Sequence, residues 1–353
     1  MSGGTTKRLK VAVALSGGVD SAVAAHRLKR QGCEVIGVHL RLGENSPLPP
    51  ELPALAARLG LPLKILDLRQ EFARQVVDYF VAEYYQGHTP NPCIRCNTFI
   101  KFGVLWERVR AWGATHLATG HYVQLKPGPD GIPRLFRGVD PAKDQSYFLC
   151  QIPRALLPHL IFPLGELTKQ EVRAQFQELG LPSLDSGQES QDICFISRGD
   201  YQEFLWSRRG RRGSPGDLVD RRGRLLGRHR GVENFTVGQR RGLGTPGPEP
   251  YYVLQIQPED NRVVIGTKRE LYSRGLRARA LNWLIAPPDR AFEAIAVIRY
   301  RHPGVNAVLT PKPGNRVEVD FATPQAAVSP GQAVAFYDRD CLLGGAWIEV
   351  QLE

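Results

Sequence analysis

Residues 9–15 form a short apolar run that stops at Ser16-Gly17-Gly18. Asp20 and Ser21 then open a stretch in which Val23, Leu28 and several alanines recur at helical spacing, and Gly32 ends it. Residues 34–40 are rich enough in β-branched side chains for a second strand. Strand, helix and strand in that order predict a βαβ unit and hence a parallel sheet. The alternation continues with a helix over 53–59, a strand over 63–68 and a helix over 71–85. A loop rich in Pro and Cys follows over 89–97, then a helix over 100–112 and a strand over 116–119 that runs into Gly120-His121.

Beyond residue 200 the pattern changes. Residues 207–231 read as a loop dense in Gly and Arg. From Tyr251 onward come short apolar runs at 252–256, 263–266, 294–300, 317–321, 333–337 and 346–350, separated by Pro and Gly. Such spacing predicts a small antiparallel barrel. No internal repeat and no heptad stretch interrupts it. A chain of 353 residues is too long for a single core. The expected architecture is α/β: a parallel-sheet domain over 1–200, a small linking domain over 201–272 and a C-terminal antiparallel β-barrel over 273–353.

Composition narrows the class. Hydrophobic residues make up 42% and charged residues 23%, the proportions of an ordinary globular chain. No apolar run approaches the roughly 18 residues that a membrane span needs. Lys7, Arg8 and Lys10 precede an apolar stretch too short for a signal peptide, so no membrane partner is expected and the default location is the cytoplasm. A net charge of +11 fits either a polyanionic partner or a solvated Arg-rich surface. Six cysteines in a chain this long do not make a disulfide scaffold, so their placement matters more than their number.

Ser16-Gly17-Gly18-Val19-Asp20-Ser21 follows a strand and opens a helix. Two glycines let backbone N–H groups approach an oxyanion closely, the helix N-terminus adds its positive dipole end, and two hydroxyls can donate. No Gly-Lys-Ser/Thr follows, so this is not a Walker A loop. The segment resembles the SGGxDS signature of the PP-loop ATP pyrophosphatases, which are adenine nucleotide α-hydrolase-like. That resemblance implies cleavage of ATP to AMP and pyrophosphate to adenylate a carbonyl oxygen. It leaves the substrate open among several synthetases.

The cysteines bear on the substrate. Cys93 and Cys96 lie in Thr89-Pro90-Asn91-Pro92-Cys93-Ile94-Arg95-Cys96-Asn97, and Cys194 lies almost a hundred residues on, in Asp192-Ile193-Cys194-Phe195-Ile196. Sulfur transfer needs one thiol to carry a persulfide and another to release it, and thiolates are favoured near cations such as Arg95 and Lys101. With these segments, the chain shares Ala118-Thr119-Gly120-His121-Tyr122, Lys143-Asp144-Gln145-Ser146-Tyr147-Phe148-Leu149, residues 236–244 and Arg299-Tyr300 with the tRNA-specific 2-thiouridylase (MnmA) family, which it resembles over nearly its whole length.

The resemblance implies ATP-dependent 2-thiolation of a wobble uridine in the tRNA anticodon loop. Ala14, Leu15, Ser16, Gly17, Gly18, Val19, Asp20, Ser21, Leu40 and Gly120 would line the ATP site, with Mg²⁺ on the triphosphate. Cys194 would carry the persulfide, and Cys96 would free the sulfur by forming a disulfide with it. Asn91, Pro92 and Cys93 would touch the target base; His121, Lys143, Asp144, Gln145, Arg299, Tyr300 and Gln332 would contact tRNA. A sulfur donor such as a cysteine desulfurase or a sulfur carrier protein is implied as a partner. The target base would be splayed out of its stack.

Two features depart from the family pattern. Cys93 stands where Asp is common, which opens a rival route in which Cys93, Cys96 and Cys194 hold a [4Fe-4S] cluster that delivers the sulfur. Residues 41–53 are short and Pro-rich where relatives have a longer acidic segment. Among other classes, a different PP-loop synthetase would need no thiol, and a non-catalytic tRNA-binding or iron–sulfur protein would need no phosphate loop. Arg211 and Arg212 belong to a stretch that reads equally as a phosphate track or a basic linker. Cys33, Cys150 and Cys341 read as small hydrophobes, and Trp106, Trp112, Trp283 and Trp347 as core.

Overall fold

The computed structural model describes residues 8–43, 48–180, 193–196, 201–247 and 249–353. Contacts divide the chain into two units: residues 1–75 with 94–191 and 340–342, and residues 76–93 with 192–339 and 343–353.

The first unit is built on β1 (Lys10–Ala14), β2 (Glu34–Arg41), β3 (Leu63–Asp67) and β4 (His116–Ala118). A hairpin of β5 (Val123–Lys126) and β6 (Arg134–Arg137) follows, and then β7 (Leu160–Ile161). The sheet order is β3-β2-β1-β4-β7, parallel throughout. Val11, Ala12 and Val13 of β1 are buried. A strand covered on both faces reads as a continuous apolar run, as this one does. Helix α1 (Val19–Arg30) lays Ala22, Val23, Ala24, Ala25 and Leu28 on the sheet. Its alanines let the two backbones approach, while Val23 and Leu28 each contribute about 1.5–3 kcal/mol of burial.

Helix α2 (Leu52–Arg58) packs Leu52, Leu55 and Ala56 into the same core. Helix α3 spans 69–85 and is π-helical over Ala73–Val77. Helix α4 spans 92–111. It starts earlier than the pattern predicts: residues 92–97 are helical rather than loop. Pro92 is the reason, because its fixed φ suits the first helical position and its missing N–H costs nothing there. From Cys96 to Leu105 the helix is wound as a π-helix, for which the sequence carries no signal. Helix α5 (Lys169–Glu178) begins with a capping box in which Thr168 and Glu171 satisfy each other's backbone N–H groups.

The second unit contains helix α6 (Tyr201–Arg209) and two β structures. Strands β8 (Gly216–Val219), β9 (Leu225–His229), β10 (Tyr252–Gln257) and β11 (Arg262–Gly266) form a sheet of order β10-β11-β8-β9, in which β11 and β8 run parallel. The stretch 207–231 is therefore a helix end and a hairpin rather than a loop. Its turn is closed by Asp220, whose Oδ1 accepts from the N–H groups of Arg222 and Arg224. The runs at 252–256 and 263–266 belong to this sheet, not to the barrel.

The barrel is β12 (Tyr272–Trp283), β13 (Phe292–Val297), β14 (Val305–Lys312), β15 (Arg316–Ala326), β16 (Ala333–Asp338) and β17 (Cys341–Leu352). Its order is β12-β15-β14-β13-β16-β17, closed by pairing of β12 with β17. Strands β12 and β14 escape the apolar-run reading because their inward positions are modest. Leu276 and Ala278 alternate with outward Arg277 and Arg279, and Val305, Ala307 and Leu309 with Asn306 and Val308. Cys150 and Cys341 are buried and Cys33 is half-buried; Trp106 is buried, whereas Trp112, Trp283 and Trp347 are half-buried. Among the described residues, no helix is long and apolar enough to cross a membrane.

Candidate active site

Strand β1 lies between β2 and β4. The chain leaves β1 toward β2 and β3, then returns to its other side at β4. Parallel sheets bind ligands at the carboxyl ends of strands where the order reverses in this way. Both segments that leave these ends, Ser16–Ser21 and Thr119–Tyr122, were singled out by sequence.

The loop holds its own shape. The Ser16 N–H donates to Ser21 Oγ at 3.2 Å, the Gly18 N–H to Ser16 Oγ at 3.3 Å, and Ser21 Oγ to the Gly18 carbonyl at 2.9 Å. Gly17 has φ +95°, a conformation that side chains with a Cβ rarely adopt. Gly18 is the N-cap of α1 and offers no side-chain cap, so the first-turn N–H groups point toward the open end of the loop. Ser16 and Gly18 are exposed; Ala14, Val19 and Asp20 are half-buried, and Leu15 is buried with its carbonyl bonded to His39 Nδ1. Leu40 is half-buried near the carboxyl end of β2. The arrangement is a cradle for a phosphate group.

Asp20 would repel such a group if it stood alone. Its carboxylate instead accepts from Tyr122 Oη at 2.7 Å and from Lys169 Nζ at 2.7 and 2.9 Å. Gly120 sits against this residue: a Cβ there would lie 3.1 Å from the Asp20 carbonyl carbon. Sequence reasoning missed Lys169. A signal existed, because a lysine as the first residue of a helix opposes the helix dipole, which favours acids there. Asp140 fixes the helix start by accepting the Lys169 N–H at 3.0 Å.

The residues assigned to tRNA contact in this unit are largely internal. His121 is buried, with Nδ1 2.6 Å from Thr119 Oγ1 and its ring near those of Phe102 and Phe162. Burial, helped by Lys101, holds its pKa well below the ordinary histidine value. Asp144 is buried, and its carboxylate accepts from the Gly138 N–H, the Ser146 N–H and hydroxyl, and Arg137. Gln145 Oε1 accepts the Tyr122 N–H at 3.0 Å, so it steadies the residue that holds Asp20. Lys143 is half-buried.

Of the cysteines, Cys96 is buried on α4, among neighbours fixed by Asn97 Nδ2 donating to the Phe148 carbonyl and Arg95 Nε to the Gln75 carbonyl. Cys93 is exposed one turn earlier on that helix. In the second unit, Asn91 and Pro92 are buried, and the segment leading to them is tied to a barrel loop. The Thr89 N–H donates to the Pro330 carbonyl and Gln332 Nε2 to the Thr89 carbonyl. Gln332 thus positions residues 89–93. Arg299 is exposed with Nη1 on the Ala326 carbonyl, and Tyr300 is half-buried.

Cys194 is exposed on the turn 193–196. Ile193, Phe195 and Ile196 on either side of it pack on Phe80, Tyr84 and Leu205, with the Phe195 ring edge-on to Phe80 at 5.4 Å. The apolar flanks anchor the turn and leave the thiol outward. Among the described residues, no group of three or more His, Cys, Asp or Glu side chains is placed to hold a metal ion.

The profile of the tRNA methyl transferase HUP domain family matches residues 9–198. Those of the tRNA methyl transferase PRC-barrel domain and the aminomethyltransferase beta-barrel domain match residues 202–267 and 273–348. The chain is 45% identical over 359 residues to the tRNA-specific 2-thiouridylase MnmA of Geotalea uraniireducens, covering 97% of this chain and 96% of that one. It is 44% identical over 361 residues to the protein of that name from Geobacter metallireducens, covering 98% of each. For that of Acidithiobacillus ferrooxidans the identity is 46% over 347 residues, covering 96% and 98%.

Proposed function

The chain belongs to the tRNA-specific 2-thiouridylase family, and from that premise we propose that it consumes ATP to replace the 2-oxo group of a wobble uridine in tRNA with sulfur. The observation that carries the reading is the phosphate cradle of Ser16–Ser21, with its acid neutralised by Lys169, in a chain that also carries Cys96 and Cys194. The profile descriptions mention methyl transfer; a nucleotide cradle and two thiols support the name of the relatives instead.

The chemistry follows from the leaving group. Oxide is a poor one, so uracil O2 attacks the α-phosphorus of ATP, and the bond to the pyrophosphate oxygen breaks. Backbone N–H groups at the start of α1 and the exposed Ser16 hydroxyl bind the departing phosphates, while the Ser21 hydroxyl, which donates to the Gly18 carbonyl, holds the loop in shape. Lys169 and Tyr122 keep the Asp20 carboxylate from opposing them. Mg²⁺, which the family implies, would be held by the nucleotide phosphates and water rather than by Asp20, whose two oxygens already accept from Lys169; bound, it would supply further positive charge.

A persulfide on Cys194 then adds its terminal sulfur to C2, and AMP leaves with the former O2. The Cys96 thiolate attacks Sγ of Cys194, and the bond between that sulfur and the transferred one breaks. The transferred sulfur stays on C2 as the thiocarbonyl, and a Cys96–Cys194 disulfide remains. An external thiol reductant returns both cysteines, and a donor of persulfide sulfur, a desulfurase or carrier protein, reloads Cys194. Asn91, Pro92 and Cys93 are assigned to the target base, and Arg299, Tyr300 and Lys143 to the tRNA. His121, Asp144, Gln145 and Gln332 act as supports behind those contacts. The division into domains 1–200, 201–272 and 273–353 and a cytoplasmic location, where tRNA and ATP meet, go with this reading.

The test is pyrophosphate release from ATP, measured with and without unmodified tRNA, together with mass analysis of the nucleosides. tRNA-dependent release with 2-thiouridine at the wobble position is the expected result. Release without a sulfur product would point to another adenylating synthetase, and no release would exclude the phosphate-loop chemistry altogether.

A further inference from the structure

Four arginines crowd the end of α6: Arg208, Arg209, Arg211 and Arg212, separated by Gly210 at φ +72°, which terminates the helix. All four are exposed. Three are stacked on aromatic rings. The Arg208 guanidinium carbon lies 5.8 Å from the Phe204 ring centre, that of Arg209 3.9 Å from Tyr85, and that of Arg212 4.5 Å from Trp206.

The rings are fixed from behind. Trp206 Nε1 donates at 2.9 Å to Oε1 of Glu233, a buried carboxylate that also accepts the Gly213 N–H at 2.8 Å. Tyr85 Oη donates to the Arg211 carbonyl at 3.4 Å. Leu205 is fully buried against Phe80 and Tyr84, and this pins the helix that carries Arg208 and Arg209.

This pattern differs from that of nearby arginines on the hairpin. Arg221 reaches Glu270 and Glu353, Arg224 reaches Asp220, and Arg228 reaches Asp217. Among the described residues, Arg209, Arg211 and Arg212 form no ion pair with a carboxylate. Asp78 lies in the same depression as Tyr85, Arg208 and Arg209, yet Glu203 is the lone acid in residues 201–213, so that segment carries +3 (four arginines less one glutamate). Stacking holds a guanidinium plane in place while leaving its N–H edge open to solvent, so the forks are ordered before anything binds. The planar, ordered forks of Arg209 and Arg212, which pair with no carboxylate among the described residues, suit the oxygens of phosphodiesters.

We propose that this ledge binds the phosphate backbone of the tRNA, along a stem rather than at the target base. The proposal rests on the tRNA-thiolation reading for the identity of the RNA. A backbone contact sets affinity and register and carries no sequence choice. The ledge should therefore act equally on every tRNA the protein binds.

The test measures equilibrium binding of unmodified tRNA across a salt series for the wild type and for Arg209→Gln/Arg211→Gln/Arg212→Gln. Each lost phosphate contact lowers the slope of log affinity against log salt by about 0.7–0.9, so a fall of about 2 and a roughly tenfold weaker Kd at moderate salt are expected. The all-lysine version of the same triple variant should recover the slope, which separates lost charge from a damaged fold. Arg224→Gln/Arg228→Gln, on the paired hairpin, should leave the slope as it is. An unchanged slope in the triple glutamine variant overturns the proposal. So does an unchanged tRNA affinity combined with slower loading of Cys194 from a protein donor, which would make the ledge a dock for an acidic protein. Wild-type thiolation assayed alongside keeps the two readings apart: weakened RNA binding without any thiolation by the wild type would sink the thiolation reading and leave the ledge standing.

Discussion

In the first unit, the phosphate loop is held by hydrogen bonds among its own residues, and its acid is already matched by Lys169 and Tyr122. In the second, Cys194 stands exposed on the turn 193–196, whose apolar residues pack on Phe80, Tyr84 and Leu205. The difference follows from the chemistry. Stabilising a departing pyrophosphate requires dipoles that are fixed before the reaction, because reorienting them would cost as much as they return. A sulfur carrier has to meet a donor and then an acceptor, so its thiol has to be reachable. In the proposed reaction Cys96, buried on a helix, has the single later task of attacking Cys194.

Substitutions at the two regions should therefore have separable effects. The largest is expected from Cys194→Ser: thiolation should fall at least about a hundredfold, as for loss of a covalent-catalysis nucleophile, while tRNA-dependent pyrophosphate release still occurs in the first turnover. Loss of both activities together would break the separation. Lys169→Met leaves Asp20 facing the incoming phosphates. The KM for ATP should rise roughly tenfold, about 1.4 kcal/mol, and Asp20→Asn in the same chain should recover part of it. Additive losses in that cycle would show that the pair does not act as a unit.

Smaller effects probe the support. Gly120→Ala places a Cβ 3.1 Å from the Asp20 carbonyl carbon, so the loop has to give by a few tenths of an ångström. ATP cleavage should slow several-fold, whereas persulfide loading of Cys194 stays unaltered. Thr168→Ala removes the side chain that caps α5, with an expected loss of about 1 kcal/mol in unfolding free energy. The smallest effect concerns pH. Burial lowers the pKa of His121, and those of His116, His229 and His302 shift in the same direction. The unfolded chain then takes up protons that the folded one refuses. Stability is thus unaffected above about pH 6.5 and falls as the pH drops below it. Thermal melts should show that fall, and His121→Asn should make it shallower.

Much of this was legible in the chain. The βαβ start, the phosphate loop and the parallel sheet follow from an apolar run, two glycines and a helical period. Strands β12 and β14 were not, because alanine and arginine at alternating positions weaken the apolar signal until the barrel closes around them. The helical start at Pro92 was hidden by the usual reading of proline as a loop former. Lys169 lies 149 residues from Asp20, a pairing that no local pattern reveals. The burial of His121 and Asp144, which the resemblance assigns to tRNA contact, follows from the aromatic rings and donors that the fold gathers around them.

The central claim is that ATP cleavage and sulfur transfer are coupled on one uridine. The most direct measurement is a single turnover, without oxygen, of protein preloaded with persulfide on Cys194, mixed with ATP and an unmodified tRNA transcript. AMP, wobble 2-thiouridine and the Cys96–Cys194 disulfide are then quantified in the same sample. The account requires the three to appear in equal amounts. AMP that accumulates without thiouridine, or thiouridine that forms without the disulfide, would contradict it.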